Sequence, residues 1–251
     1  MSKMYLVANW KMNLTLSDAI TYADTLNNRI TADDKTEVIL AASFPFLTEL
    51  QKTVDPTKIK ISSQTLSAPD FGAFTGDVCA AQLSGIVDYA IIGHSERRLY
   101  FHETNEDIAE KITFSLDHNI TPIICVGETA EERNAGRTEE VLRTQIKSAL
   151  DSIDTTRVLL AYEPVWAIST MPGATPATPE EIIKTTDTII DILTEVVGTE
   201  LPPLLYGGSV NPDNIGPYLE IPAYTGFLIG GASLDIEKMC AMIEVTKKVS
   251  K

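Results

Sequence analysis

The carboxylate of Glu163 stands where a strand is expected to end and a loop to begin. An apolar run, residues 158–161, precedes it, and Pro164 follows, which has no N–H to continue a ladder. Farther along, Thr178-Pro179-Glu180-Glu181 has the residue types of a helix N-terminus. A carboxylate at a strand end, followed by a loop long enough to cover it, fits a general base that works beneath a lid. Taken alone, Glu163 has the alternative of a structural salt bridge at the strand end.

Four other expected strand ends also carry residues suited to chemistry. They are Asn9-Trp10-Lys11, Gly93-His94-Ser95-Glu96-Arg97, Gly207-Gly208-Ser209 and Gly230-Gly231-Ala232-Ser233. Each has an ordinary alternative, namely a solvated lysine, a structural histidine or a tight glycine turn. Together they offer an ammonium and an imidazole to join the carboxylate. The two glycine-rich turns are expected at helix starts, where backbone N–H groups bind phosphate, so the set indicates acid–base chemistry on a phosphorylated ligand.

Short apolar runs alternate with helix-like stretches along the whole chain. The strands are predicted at residues 5–8, 37–41, 59–62, 89–92, 122–126, 158–161, 204–206 and 227–229, and the clearest helices at 17–29, 105–118 and 138–153, the last with a capping box at Thr138. The strands are rich in Ile, Val and Leu without polar alternation, which is typical of a parallel sheet buried on both faces. Eight such units predict an α/β protein, a closed (β/α)8 barrel forming one domain over residues 1–251, whose strand ends share one mouth. An open doubly wound sheet is the alternative, but no GxGxxG motif follows an early strand.

Composition narrows the classes of function. A net charge of −15 argues against a nucleic-acid partner, because an acidic surface repels phosphate at long range, although it leaves a small phosphorylated ligand possible. Three cysteines (Cys79, Cys125 and Cys240) without CxxC spacing predict reduced thiols in a cytoplasmic protein. We expect no signal peptide and no membrane partner, since no apolar run approaches about 18 residues. No His/Cys/Asp cluster has the spacing of metal ligands.

Seven segments carry a resemblance to a known family. They are residues 9–13, 72–76, 92–98, 124–129, 161–168, 206–210 and 230–234, which include NWKMN, GAFTG and IGHSERR. Their order and spacing resemble those of the triosephosphate isomerases over essentially the whole chain. The resemblance implies interconversion of dihydroxyacetone phosphate and glyceraldehyde 3-phosphate through an enediolate, a reaction of glycolysis and gluconeogenesis.

The same resemblance implies roles for individual residues at the catalytic end. Glu163 is then the base that moves a proton between adjacent carbons, and His94 is the electrophile that polarises the carbonyl. Lys11 contributes positive charge, Asn9 is a hydrogen-bond donor near the same oxygens, and Glu96 is a partner of the lysine. A helix that opens at Ser95 fits a neutral imidazole, because a positive helix end disfavours imidazolium.

The resemblance also implies a phosphate grip and a second subunit. Ser209, the amides of Gly230 and Gly231, and the lid amide of Ser169 would hold the phosphate, with no metal or organic cofactor. The loop that carries Phe74, Thr75 and Gly76 would enter the partner of a homodimer, with Thr75 near the partner's lysine. An exposed aromatic residue on a loop tip independently suggests a partner surface.

The chain departs from the family pattern in two loops. The lid has Ser169-Thr170-Met171-Pro172 where the family usually has Gly-Thr-Gly-Lys, and we expect modest strain on closing. In the loop after the third strand, Thr65 replaces the usual Asn and Asp77 the usual Glu, which bears on the strength of the dimer.

Two other functions remain open from the sequence. A lysine Schiff-base aldolase would use Lys11, although no second lysine stands nearby in the sequence to lower its pKa. A non-catalytic sensor of phosphorylated ligands would need only the phosphate grip, which leaves Glu163 and His94 without a purpose. A barrel fold alone excludes neither function.

Overall fold

A closed barrel of eight parallel strands forms the centre of the protein. The computed structural model describes residues 3–168 and 177–249. The strands are β1 (Met4–Asn9), β2 (Thr36–Ala42), β3 (Ile59–Ser63), β4 (Tyr89–Ile92), β5 (Thr121–Val126), β6 (Leu159–Tyr162), β7 (Leu204–Tyr206) and β8 (Tyr224–Ile229). Each strand pairs with the next, and β8 returns to pair with β1. The predicted (β/α)8 barrel is therefore confirmed, and the open doubly wound sheet is excluded.

Closure of the barrel explains the largest error in the predicted strand limits. The last strand begins at Tyr224, three residues before its predicted start, because Thr225 and Gly226 have the composition of a turn. In the barrel, Gly226 pairs with Tyr5 of β1 and with Leu205 of β7. A Cβ at residue 226 would lie 2.2 Å from the Tyr5 carbonyl oxygen. Glycine is thus required by close backbone approach inside the sheet rather than by a turn.

Helices surround the barrel. They are α1 (Leu16–Arg29), α2 (Leu47–Thr53), α3 (Ala80–Leu83), α4 (Ser95–Tyr100), α5 (Asn105–Asp117), α6 (Ala130–Asn134), α7 (Thr138–Leu150), α8 (Pro179–Val197), α9 (Ile215–Leu219) and α10 (Ile236–Val249), with 3₁₀ turns at Phe44–Phe46, Thr155–Arg157, Val165–Ala167 and Gly231–Leu234. None of the helices within the described ranges is long and apolar enough to cross a membrane.

Helix ends agree with local sequence chemistry in most places. Thr178 forms the expected capping box with Glu181 at the start of α8. The predicted capping box at Thr138 is wrong, because Arg137 is the N-cap of α7 and makes no side-chain cap bond. The same helix ends at Leu150 rather than residue 153, since Ser152 adopts a left-handed φ of +60° that a helix cannot contain.

The core has two layers, and the inner one makes room for a site. Residues inside the barrel include large side chains such as Ile39 and Ile123 lower down, and Ala41, Cys125 and Ala161 near the carboxyl ends of their strands. A larger apolar layer fills the space between strands and helices. Small side chains at the upper end of the barrel leave a depression at the mouth, which is where barrel enzymes place their chemistry.

Barrel closure predicts a stability effect at Gly226. Changing Gly226→Ala forces a Cβ against a strand backbone that cannot move aside, so we expect a loss of roughly 3 kcal/mol. For a chain of this length that lowers Tm by about 6–12 °C. Gly216→Ala is the matched control, because a Cβ at residue 216 meets no atom within 4 Å, and its Tm should change little or rise. Equal Tm values for the two variants would contradict this account of closure.

Candidate active site

The predicted chemical residues meet at the mouth of the barrel. A cavity of about 310 Å³ is lined by Asn9, Lys11, His94, Glu163, Ser209, Gly230 and Gly231, together with other residues of the mouth. Glu96 stands behind Lys11, in a neighbouring groove rather than in this cavity. Ser169 lies outside the described residues. Phe74, Thr75 and Gly76 do not line the cavity and lie exposed on a separate loop.

Lys11 is held in an uncommon backbone conformation directly after β1. Its φ is +52°, a left-handed value that costs a non-glycine residue energy and persists only where neighbours enforce it. Two contacts do so here: the Lys11 N–H donates to Asn9 Oδ1 at 3.1 Å, and Gln64 Nε2 donates to the Lys11 carbonyl at 2.9 Å. Glu96 Oε1 accepts from Lys11 Nζ at 2.6 Å. The ammonium is therefore fixed at both its backbone and its tip.

His94 is oriented by the helix that follows β4. As N-cap of α4, its Nδ1 accepts a hydrogen bond from the Glu96 N–H at 3.2 Å. A ring nitrogen that accepts carries no proton, so the neutral imidazole must carry its proton on Nε2. Nε2 lies 3.0 Å from Glu163 Oε1. The ring thus presents an N–H donor to the cavity.

Glu163 is almost completely buried, with 2% of its surface exposed. Its Oε2 accepts from the Ser95 N–H at 2.9 Å, while Oε1 faces His94. One partner is a backbone amide and the other is the imidazole ring of His94. A carboxylate in this position has little water to compete for it.

Two glycines leave the space that Glu163 occupies. A Cβ at Gly127, which follows β5, would lie 1.7 Å from the Glu163 carbonyl oxygen. One at Gly207, which follows β7, would lie 2.9 Å from Glu163 Cγ. Neither role was visible in the sequence, where Gly207 was expected in a glycine-rich turn and Gly127 carried no structural expectation. The position of the carboxylate therefore depends on neighbouring strands as well as on its own.

The opposite end of the cavity offers hydrogen-bond donors. Ser209 Oγ donates to the Ala167 carbonyl at 3.0 Å, and Gly231 begins the 3₁₀ turn after β8. The expectation of a helix start at Gly207-Gly208-Ser209 is wrong, because α9 begins only at Ile215. The expected helix start is nearly met at Gly230 and Gly231, because a single 3₁₀ turn begins there beside the cavity.

A buried carboxyl group beneath the loop after β6 was missed by the sequence. Glu128 is fully buried and accepts from Trp166 Nε1 at 2.9 Å and from the Tyr162 hydroxyl at 3.2 Å. Burial raises the pKa of the Glu128 carboxyl above its usual value. Burial, followed by the charge of Glu163, also raises the pKa of the Cys125 thiol well above its usual value, so this thiol stays neutral beside the base. The only sequence signal for Glu128 was its position two residues after the end of β5.

The described part of the chain holds no evident metal site. No group of three or more His, Cys, Asp or Glu side chains in residues 3–168 and 177–249 has the arrangement of a metal site. The polar groups that the mouth presents are the ammonium, the imidazole, the carboxylate and backbone N–H groups.

Fold and site together define an α/β-barrel enzyme whose mouth is built for acid–base chemistry. The family model for triosephosphate isomerase matches residues 4–246. The triosephosphate isomerase of Chlamydia muridarum is 39% identical over 246 residues, covering 97% of this chain and 91% of the relative. That of Caldanaerobacter subterraneus subsp. tengcongensis is 38% identical over 250 residues, covering 97% of this chain and 99% of the relative. The chain belongs to the triosephosphate isomerase family, and its function is that of the family, an isomerase reaction of glycolysis.

The space left by Gly207 predicts an effect on activity. Gly207→Ala would push the Glu163 side chain from its position, and a displacement near 1 Å costs a reacting group about 100-fold in rate. We expect kcat to fall about 10- to 100-fold, measured by a coupled assay of triose-phosphate isomerisation. Gly216→Ala serves again as the control and should keep full activity. A Gly207→Ala enzyme that keeps full kcat would contradict the role of this glycine.

Proposed function

We propose that Glu163, His94 and Lys11 perform the isomerisation of dihydroxyacetone phosphate and glyceraldehyde 3-phosphate in this chain. The observation that carries the proposal is the 3.0 Å contact between Glu163 Oε1 and His94 Nε2 inside a cavity that Lys11 also lines. A base and an N–H donor that touch each other can both reach adjacent carbon and oxygen atoms of one small substrate.

The three groups divide the reaction between them. Glu163 removes a proton from the carbon next to the carbonyl, and His94 Nε2–H donates to the carbonyl oxygen as negative charge develops on it. Lys11 stabilises the resulting enediolate by its charge. The proton then returns from Glu163 to the neighbouring carbon, while the hydroxyl proton leaves its oxygen and the former carbonyl oxygen gains a proton. The carbonyl and hydroxyl groups thus exchange places with no redox partner and no cofactor.

Two further residues position the first three. Asn9 uses its side-chain oxygen to hold the Lys11 backbone, which leaves its amide nitrogen as the group that donates to substrate oxygens. Glu96 fixes the Lys11 ammonium through the 2.6 Å ion pair. A phosphate would be held by Ser209 and the amides of Gly230 and Gly231, with the Ser169 amide as a further donor by resemblance to the family. Remote binding of the phosphate supplies energy for desolvation around Glu163.

The geometry disfavours the two other functions considered from the sequence. A Schiff-base lysine must be free to attack a carbonyl carbon, whereas Lys11 Nζ is held in a 2.6 Å ion pair with Glu96 Oε1. A sensor would have no use for a buried Glu163 in contact with an imidazole. Trapping with borohydride in the presence of substrate should therefore give no covalent adduct on Lys11.

The role of Glu163 predicts the result of shortening it. Glu163→Asp withdraws the carboxylate by about one methylene, so kcat should fall about 100-fold or more while substrate binding changes little. The measurement is the coupled assay in both directions. Glu140→Asp on the exposed surface of α7 makes the same chemical change away from the mouth and should be neutral. An unchanged kcat for Glu163→Asp would remove this residue as the base.

We also propose that two copies of the chain form a homodimer in the cytoplasm. The loop of residues 64–79, which follows β3, carries Phe74, whose side chain is half exposed. Beside the catalytic cavity lies a groove of about 460 Å³ whose walls include Met12, Phe44, Tyr100 and Phe101, with Lys11 at its edge. Phe74 and Thr75 of one copy would enter the groove of the other, with Gly76 at φ +98° turning the tip. Free thiols at Cys79, Cys125 and Cys240 support a reducing compartment.

Residues 1–251 would then act as one catalytic domain per subunit, because all eight strands belong to the same closed barrel.

The dimer predicts that a charge at Phe74 weakens both association and activity. Phe74→Asp places a carboxylate where the partner's apolar groove is expected, so the dissociation constant should rise at least tenfold and activity should fall on dilution. Analytical ultracentrifugation across a concentration series measures the first, and the coupled assay the second. Ile183→Asp, at an exposed apolar position on α8, is the control. An active monomer at nanomolar concentration would overturn the requirement for a dimer.

A further inference from the structure

Lys238 lines the catalytic cavity, although neither its spacing nor the family resemblance drew attention to it. It lies in the first turn of α10, just after the 3₁₀ turn Gly231–Leu234 that borders the cavity. It therefore belongs to the same end of the cavity as Ser209 and Gly231, where we place the phosphate. Lys238 lies four residues after the motif GGASL and outside it, which explains why the sequence did not single it out.

The acidic neighbours of Lys238 are engaged elsewhere. Asp235 Oδ1 accepts the backbone N–H groups of Glu237 at 2.9 Å and Lys238 at 3.2 Å, so this carboxylate caps α10. Glu237 Oε1 pairs with Arg29 Nη1 at 2.5 Å on the outer surface. Within the described ranges, the Lys238 ammonium has no ion-pair partner.

The charges around the cavity make this ammonium important. Lys11 and Glu163 line the same cavity with opposite charges, and Lys11 is also paired with Glu96. The remaining phosphate contacts are neutral donors from a hydroxyl and backbone amides. The whole chain carries a net charge of −15, which repels an approaching phosphate. Of the two lysines that line the cavity in the described part of the chain, Lys238 is the one without an ion-pair partner.

We propose that Lys238 is a specificity-determining residue that adds a positive charge to the binding of the substrate's phosphate. The inference rests on the proposed function, since it concerns the phosphate end of the same cavity. Its charge attracts the phosphate in the ground state and in the transition state equally, so it lowers KM and changes kcat little. It has no part in proton transfer, which occurs at the other end of the cavity.

The test compares Lys238→Gln with Lys248→Gln, which removes the same charge from an exposed position near the far end of the same helix. We expect Lys238→Gln to raise KM for triose phosphate, and the inhibition constant of inorganic phosphate, about 3- to 10-fold, the size of an exposed charge interaction with a dianion. Added salt should raise the KM of the wild-type enzyme toward that of Lys238→Gln, because salt screens the attraction between the lysine and the phosphate. Lys238→Arg, which keeps the charge, should restore most of the affinity.

A substrate without phosphate separates binding from chemistry. Turnover of glyceraldehyde should be the same in wild type and Lys238→Gln, because it has no phosphate for the lysine to attract. Equal KM values for the Gln variants at 238 and 248, or an equal loss with both substrates, would overturn the inference. Binding of inorganic phosphate by calorimetry gives the same comparison without turnover. Absence of isomerase activity in wild type would instead refute the proposed function, and the two failures are therefore distinguishable.

Discussion

The first turn of α4 is the constraint on which the catalytic geometry depends. Its two leading N–H groups are used in two directions: Ser95 donates to the Glu163 carboxylate and Glu96 donates to His94 Nδ1. One helix end thus fixes the Glu163 carboxylate and the His94 imidazole, the proposed base and electrophile, relative to each other. Because both bonds come from backbone groups, their geometry is set by the fold and changes little with the state of any side chain. The Glu96 side chain then reaches Lys11, so the same turn also holds the lysine.

The barrel places that helix end correctly through close backbone contacts. Gly226 lets β8 approach β1, Gly127 lets β5 approach the backbone of Glu163, and Gly207 leaves room for the Glu163 side chain. Small residues such as Ala161 near the upper end of the barrel keep the depression open. The shape of the site therefore depends on glycines, which have no side chain, as well as on the side chains that line it. Its precision comes from strands rather than from flexible loops, which suits a reaction that is sensitive to displacements near 1 Å.

Much of the fold was predictable from the sequence, because parallel barrel strands are apolar runs and the residues for chemistry follow them directly. His94 and Glu163 were found in this way, and the helix opening at Ser95 was correct. The left-handed Lys11 was not predictable, since its φ is enforced by Asn9 nearby and by Gln64, which is distant in sequence. The start of β8 was missed for a similar reason, because Gly226 reads as a turn until β1 is beside it. Pattern reasoning succeeds where a residue acts with its sequence neighbours and fails where the partner is a distant strand.

We propose that backbone donation from α4 to His94 Nδ1 leaves the proton of the imidazole on Nε2. The most direct measurement is the ¹⁵N NMR spectrum of histidine-labelled protein at neutral pH, with His94 assigned by comparison with His94→Gln. We expect an unprotonated Nδ1 and a protonated Nε2, in the free enzyme and with inorganic phosphate bound. A proton on Nδ1 at neutral pH, in either the neutral or the charged form of the ring, would contradict it.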